Sequence, residues 1–165
     1  MNRLITDEVL DLIGSEVTYR APEPLSAASI RHYVLAIGAD PDRWSDEAPP
    51  TLLCDTTELT GNRVPDDDGY LGHTWELPFS RPTMMIRGGN DYTFHQPVRA
   101  GDLITTVWRL DAITERTDAG GTPMAIVTTT ATYLRDDEMI LATNVETQIH
   151  RPAAPPGSGV RSGDR

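Results

Sequence analysis

A chain of 165 residues is long enough for one domain with its own hydrophobic core. Its formal net charge of −11 argues against a nucleic-acid partner or an anionic membrane surface, because both are bound by clustered positive charge. The single cysteine, Cys54, excludes an internal disulfide and a cysteine-rich metal site, and its apolar run Thr51-Leu52-Leu53-Cys54 reads as buried.

The first residues hold no apolar run of the length a signal peptide or a membrane span needs, so a cytoplasmic protein is expected. A short helix is predicted from Asp7 to Ile13. Thr6 caps it, Asp7 and Glu8 sit at its positive end, and Gly14 closes it. Glu16 to Tyr19 reads as a brief strand, and Pro22 and Pro24 then break regular structure. A stronger helix runs from Ser26 to about Ile37, with Ile30, Tyr33, Val34 and Ile37 at i, i+3, i+4 and i+7. Gly38 ends it and Asp40-Pro41-Asp42 turns. Pro49-Pro50 opens a third helix through about Leu59, apolar enough to be the one a sheet wraps. A polar loop from Gly61 to Leu71 follows, and its run Asp66-Asp67-Asp68 reads as solvated.

The second half is mostly strand. Asp91 to His95 is a short one stopped by Pro97, and Gly101-Asp102 turns. Leu103 to Thr114 is rich in residues that favour a pleated surface, and Asp118-Ala119-Gly120-Gly121 makes a hairpin. Pro123 to Leu134 returns with Ala125, Val127, Thr129, Ala131 and Tyr133 on one face. After a turn at Asp136-Asp137, Met139 to Ile149 is the last strand, with Leu141, Val145 and Ile149 inward. Early helices before a long antiparallel meander fit an α+β domain. Residues 1–151 are expected to form it, and 152–165, rich in Pro, Gly and Ser, to be a disordered tail.

Three segments resemble the MaoC-like dehydratases, in particular the N-terminal, non-catalytic, FAS1-like branch. They are Ile37-Gly38-Ala39-Asp40-Pro41, Ala48-Pro49-Pro50-Thr51, and the stretch from Arg87-Gly88-Gly89-Asn90 through His95-Gln96-Pro97-Val98-Arg99-Ala100-Gly101-Asp102. The last is the most specific. The resemblance implies a hot-dog fold, a curved antiparallel sheet wrapped around a central helix, pairing with a second such domain into a double hot dog. It implies hydration or dehydration of enoyl thioesters at the shared interface, by an Asp and a His within a motif like Gly-Asp-x-Asn-Pro-x-His. No cofactor is implied, only a CoA or acyl-carrier thioester as substrate.

The chain departs from that motif. Asp40 falls near the family's Asp, but Trp44 stands where the His belongs. Hydration needs a base to activate water and an acid to protonate carbon, and a Trp is neither. His32, His73 and His150 lie outside the motif, and His95 has no visible carboxylate partner. No catalytic residue is therefore assigned to this chain, and a MaoC-type partner subunit carrying the Asp/His motif is expected.

The substrate-binding candidates are Trp44, Gly88, Gly89, Asn90, His95 and Arg99, each with a plainer alternative. Gly88-Gly89 is a bulge, a close approach to the thioester, or part of the dimer seam. His95 satisfies a polar site or meets substrate. Trp44 is core or the wall of an acyl tunnel. Arg87 and Arg99 are surface charges or phosphate contacts. The leading reading is a substrate-shaping subunit of a heteromeric (R)-specific enoyl-CoA hydratase acting on fatty, polyketide or steroid side-chain acyl groups. The alternatives are a self-sufficient thioesterase using Asp55 or Glu58, and a non-enzymatic acyl-thioester binding module.

Overall fold

The computed structural model describes residues 3–54, 72–136 and 138–153. The proposed continuation of the third helix with Asp55 and Glu58, the acidic run Asp66-Asp67-Asp68, Asp137 and most of the tail lie outside the described residues.

Helix α1 spans Asp7–Asp11, and the Thr6 side chain accepts from the Val9 N–H at 3.2 Å as its cap. Strand β1 is Glu16–Arg20. Helix α2 is Ala27–Ala36, capped by Ser26 accepting from the Ser29 N–H, with Ile30 and Val34 buried on its inner stripe. Gly14 and Gly38 adopt positive φ where the two helices end, as a C-terminal glycine does. Pro50–Cys54 is a 3-10 turn that buries Leu52 and Leu53, within the segment expected to be fully helical.

Four long strands follow: β2 Thr83–Phe94, β3 Ile104–Thr117, β4 Pro123–Arg135 and β5 Ile140–Pro152. With β1 they form one antiparallel sheet in the order β1-β3-β4-β5-β2. This is the expected hot-dog arrangement, with helices on one face of the sheet. Two apolar clusters line that face. One joins Ile30, Val34, Leu52 and Leu53 to Trp108, Ala131, Tyr133 and Leu141. The other joins Leu4, Ile5 and Val9 to Leu110, Ile113, Ala125 and Val127. The hairpin at Asp118 forms as read, its carboxylate accepting from the N–H groups of Gly120 and Thr122 at 2.9 Å.

Two strands differ from the reading above. β2 has twelve residues rather than five, because pairing with β5 outweighs the poor strand propensity of Gly88 and Gly89. In β4 the inward set is as expected, but in β5 the expected face is reversed. Tyr133 pairs with Ala142 and Leu134 with Ile140, so Leu141 is the extra residue of a bulge. Leu141 and Ala142 are both buried. Beyond them Asn144, Glu146, Gln148 and His150 face inward, while Val145 is 41% exposed and Ile149 lies on the outer face. A one-residue slip flips every later side chain.

The interior therefore holds a polar row. Asn144 donates to the Asn90 side-chain oxygen at 2.9 Å, and Gln148 donates to Glu146 at 3.2 Å. Asn144→Ala should lower unfolding free energy by about 0.5–1.5 kcal/mol, because it removes the hydrogen bond that ties β5 to Asn90 of β2. Val145→Ser, one residue along, should cost about 0.5 kcal/mol or less. Urea unfolding of both variants checks this, and the reverse order of costs would restore the Val145-inward register.

Candidate functional site

A cavity of about 280 Å³ opens where the end of β2 meets the segment before the 3-10 turn. Trp44, Glu47, Ala48 and Leu53 form one wall, and Phe94, His95, Pro97 and Val98 the other. The Ala48 N–H donates to the Val98 carbonyl at 2.7 Å and ties the walls together. The motif His-x-Pro-x-Arg-x-Gly-Asp builds the second wall. Pro97 follows the end of β2. The N–H groups of His95 and Gln96 both donate to the Leu141 carbonyl, at 2.8 and 3.1 Å. Gly101 takes φ +94°, its N–H bonding the Leu25 carbonyl, and the Asp102 carboxylate accepts from the Arg99 N–H at 2.7 Å. Much of what makes the motif recognisable is thus loop chemistry.

Glu47 and His95, two of the polar residues lining the cavity, are already engaged. The Arg99 guanidinium donates to Glu47, the carboxylate in the lining, as a half-exposed ion pair. His95 Nε2 lies 3.4 Å from the Thr143 hydroxyl. The Asp40 carboxylate accepts from the Asp42 N–H at 3.0 Å and holds the turn leading to Trp44, whose ring lies under the Arg43 guanidinium at 5.1 Å. Phe94 stacks on Tyr92, with centroids 5.8 Å apart. Beside Tyr92 lie Tyr133 and Cys54. Burial, with those two neighbours, pushes the Tyr92 hydroxyl well above its ordinary value, and burial pushes Tyr133 up to about 12. Both phenols stay protonated at neutral pH.

The structure divides the candidate residues into two groups. Trp44 and His95 share the cavity, and Arg99 is linked to it through Glu47. Gly88, Gly89 and Asn90 lie up the edge strand, Gly89 roughly 17 Å from Phe94 at five residues' rise. There the ladder bulges between Arg87 and Gly89. A Cβ on Gly88 would come within 3.0 Å of the Thr147 carbonyl oxygen, and Gly89 adopts φ +150°. Packing against β5 accounts for Gly88 and the backbone conformation for Gly89, whatever else approaches them. Arg87 is exposed on the same strand. Glu47 went unrecognised in the sequence, because Ser45-Asp46-Glu47 looks like any solvated turn. The polar row of β5 went unrecognised because the bulge was not legible.

The other histidines stand apart from the cavity lining. His32 is exposed on α2. His73 Nδ1 is 2.7 Å from the Tyr19 hydroxyl, with its ring edge-on to Trp75. His150 Nδ1 is 3.3 Å from the Thr83 hydroxyl, and its ring tilts against Phe79. Among the described residues no group of three His, Cys, Asp or Glu could hold a metal ion, and no helix is long and apolar enough to cross a membrane.

The sequence matches the family model described as FAS1-like, dehydratase domain region, over residues 11–143. None of the curated proteins matches it. Its fold is similar to a chain of the ChsH1-ChsH2 complex from Mycobacterium tuberculosis, with TM-score 0.64 and 16% identity, covering 91% of this chain and 93% of that one. It is also similar to a MaoC-like dehydratase from Rhodospirillum rubrum, with TM-score 0.56, 17% identity and coverage of 87% and 94%. A third is the HadBC (3R-hydroxyacyl-ACP dehydratase) complex from Mycobacterium tuberculosis, with TM-score 0.54, 19% identity and coverage of 84% and 97%. These likenesses establish the hot-dog fold, and two of the three similar structures are complexes.

Burial holds His73 and His150 below the ordinary value of 6.5. The unfolded chain takes up protons near pH 6.5 that the folded chain refuses, so stability should fall as pH drops below 6.5 toward the depressed folded values. Melting temperature measured across that window for the wild type and for His150→Leu tests this. The variant should show the shallower acid-side slope, and an unchanged slope would remove His150 from the account.

Proposed function

We propose, on the footing that the chain belongs to the family of FAS1-like dehydratase domain regions, that it is the non-catalytic, substrate-shaping subunit of a heteromeric hydro-lyase. The holoenzyme is an (R)-specific enoyl-CoA hydratase or 3-hydroxyacyl-thioester dehydratase, with a catalytic Asp/His pair on a MaoC-type partner. The observation that carries this reading is the cavity itself. Trp44 occupies its wall where the family motif has a histidine, and the lining carboxylate, Glu47, is bound to Arg99. Addition of water to an enoyl thioester needs a free base and an acid aimed at one carbon–carbon bond. A guanidinium-bound carboxylate and an indole supply neither, whereas the apolar wall of Trp44, Leu53 and Phe94 suits an acyl group.

The edge position of β2 supports a partner. Its twelve residues border the cavity at Phe94 and pair on one side with β5. Among the described residues no strand pairs with its other side, and an edge of this length invites one. A partner sheet added there continues the five strands and brings its catalytic groups beside Trp44 and His95. That two of the similar structures are complexes supports the same arrangement. The acyl group, of fatty, polyketide or steroid side-chain type, lies against Trp44, Leu53 and Phe94, with CoA or an acyl carrier outside. Water, substrate and side-chain protons suffice for the reaction, so no cofactor is called for. The net charge of −11 suits neither nucleic acid nor an anionic membrane, and a cytoplasmic assembly is part of the proposal.

Alone, the chain should hydrate crotonyl-CoA and longer enoyl-CoAs negligibly, and Trp44→His should not confer activity. Robust turnover by the isolated protein, followed by loss of enoyl absorbance, would overturn the proposal. In the reconstituted complex, His95→Ala should weaken substrate binding while reducing the single-turnover rate by less than about a hundredfold. A larger loss with the assembly intact would make His95 catalytic.

A further inference from the structure

The cavity at the end of β2 is graded from an apolar floor to a polar mouth. The buried members of its lining are Ala48, Leu53 and Val98, at 2%, 1% and 3% exposure. They form the floor, and the Ala48 N–H and the Val98 carbonyl there are spent on each other. Phe94, 43% exposed, stands at the mouth with His95 and Gln96, both also exposed. Glu47 joins them, half-exposed and held by Arg99. Behind Phe94 the wall is closed, because Tyr92 stacks on it with the rings 7° apart and is itself hydrogen-bonded to Tyr133 and Cys54.

We infer that this floor admits one class of acyl group, an unbranched hydrocarbon tail of no more than about nine carbons, with Ala48 and Leu53 setting its length. The tail enters methyl end first. The inference deepens the acyl-holding role proposed above and rests on it.

Volume separates the first of the candidate classes. At about 30 Å³ for each water-sized group, the cavity of about 280 Å³ holds on the order of nine methyl or methylene groups. A four-ring steroid nucleus has about twice that number of ring carbons, and as the distal end of its acyl group it would have to enter first. Polarity separates the second. A polyketide tail carries oxygens along its length. At the floor such an oxygen would give up its water and meet only Ala48, Leu53 and Val98, which offer it no hydrogen bond. A plain hydrocarbon end meets no such penalty. The thioester, the polar end, then stays at the mouth beside the edge of β2, where a partner's catalytic groups are proposed to act. A longer tail leaves its extra methylenes in water or carries the thioester away from that edge.

Calorimetric titration of the full chain with saturated thioesters, from butyryl- through octanoyl- to myristoyl-CoA, is the test. These ligands cannot be hydrated, so binding is read apart from turnover. Affinity should tighten by about threefold for each added methylene, and should level off near nine carbons or about that length. A CoA thioester of a four-ring steroid acid should bind no better than butyryl-CoA. Ala48→Leu should bring the levelling point down by about three carbons, and Leu53→Val should raise it by about one, with circular dichroism confirming both folds. If Ala48→Leu does not fold, Leu53→Val carries the comparison. Affinity that keeps rising through myristoyl-CoA would overturn the inference. So would a steroid thioester bound more tightly than octanoyl-CoA, or a levelling point that neither folded variant moves. Each of these leaves the acyl-holding role standing. No saturable binding of any of these thioesters, to the chain or to its reconstituted complex, would overturn both.

Discussion

One extra residue in β5 sets the layout of this molecule. Leu141 has no partner of its own opposite β4, where the ladder steps from Tyr133–Ala142 to Leu134–Ile140. Because side chains alternate along a strand, that one step decides which half of β5 meets the core and which meets solvent. It also frees the Leu141 carbonyl to take the N–H groups of both His95 and Gln96. The bulge thereby fixes the loop that forms one wall of the cavity, the content of the interior and the character of the outer face.

The interior consequence is a costly one. Glu146 and Gln148 are each 2% exposed, and Asn144 Oδ1, Thr129 Oγ1 and His150 Nε2 are buried with no hydrogen-bond partner among the described residues. Buried polar groups are normally satisfied, and stranded ones cost about 1–3 kcal/mol each. Apolar clusters at both ends of the sheet offset this, with Trp108 and Tyr133 in one and Leu110 and Val127 in the other. The opposite register would bring Val145 and Ile149 inside but break the alignment of β5 with the β4 face that runs from Ala125 to Tyr133. Twelve residues of β2 depend on that alignment through eleven paired positions.

At the cavity the same economy holds. The resemblance motif reads chemically as a possible site, yet most of its members serve the loop: Gly101 turns it, Asp102 caps it, and Arg99 clamps Glu47. What faces the cavity is largely a hydrocarbon and aromatic wall, with Glu47, His95 and Gln96 as its polar members. In the function proposed above, a surface of that kind orients an acyl chain and proton transfer falls to a partner at the edge of β2.

The features decided by the sequence itself are those set by residues a few positions apart. Thr6 and Ser26 cap their helices, Gly14 and Gly38 end them, Asp118 closes its hairpin, and the inward row of β4 follows from simple alternation. The missing histidine at Trp44 was legible for the same reason, since a motif is a local spacing. The tertiary structure alone decided the face of β5, the length of β2 and the pairing of Glu47 with Arg99. In β5 periodicity points to the wrong row: it favours Leu141, Val145 and Ile149, and only the ladder past the bulge at Leu141 turns Asn144, Glu146, Gln148 and His150 inward. β2 is a strand because β5 supplies hydrogen bonds that Gly88 and Gly89 would not favour by propensity. Glu47 and Arg99 are 52 residues apart, and only the closing of the Ala48–Val98 contact brings them together.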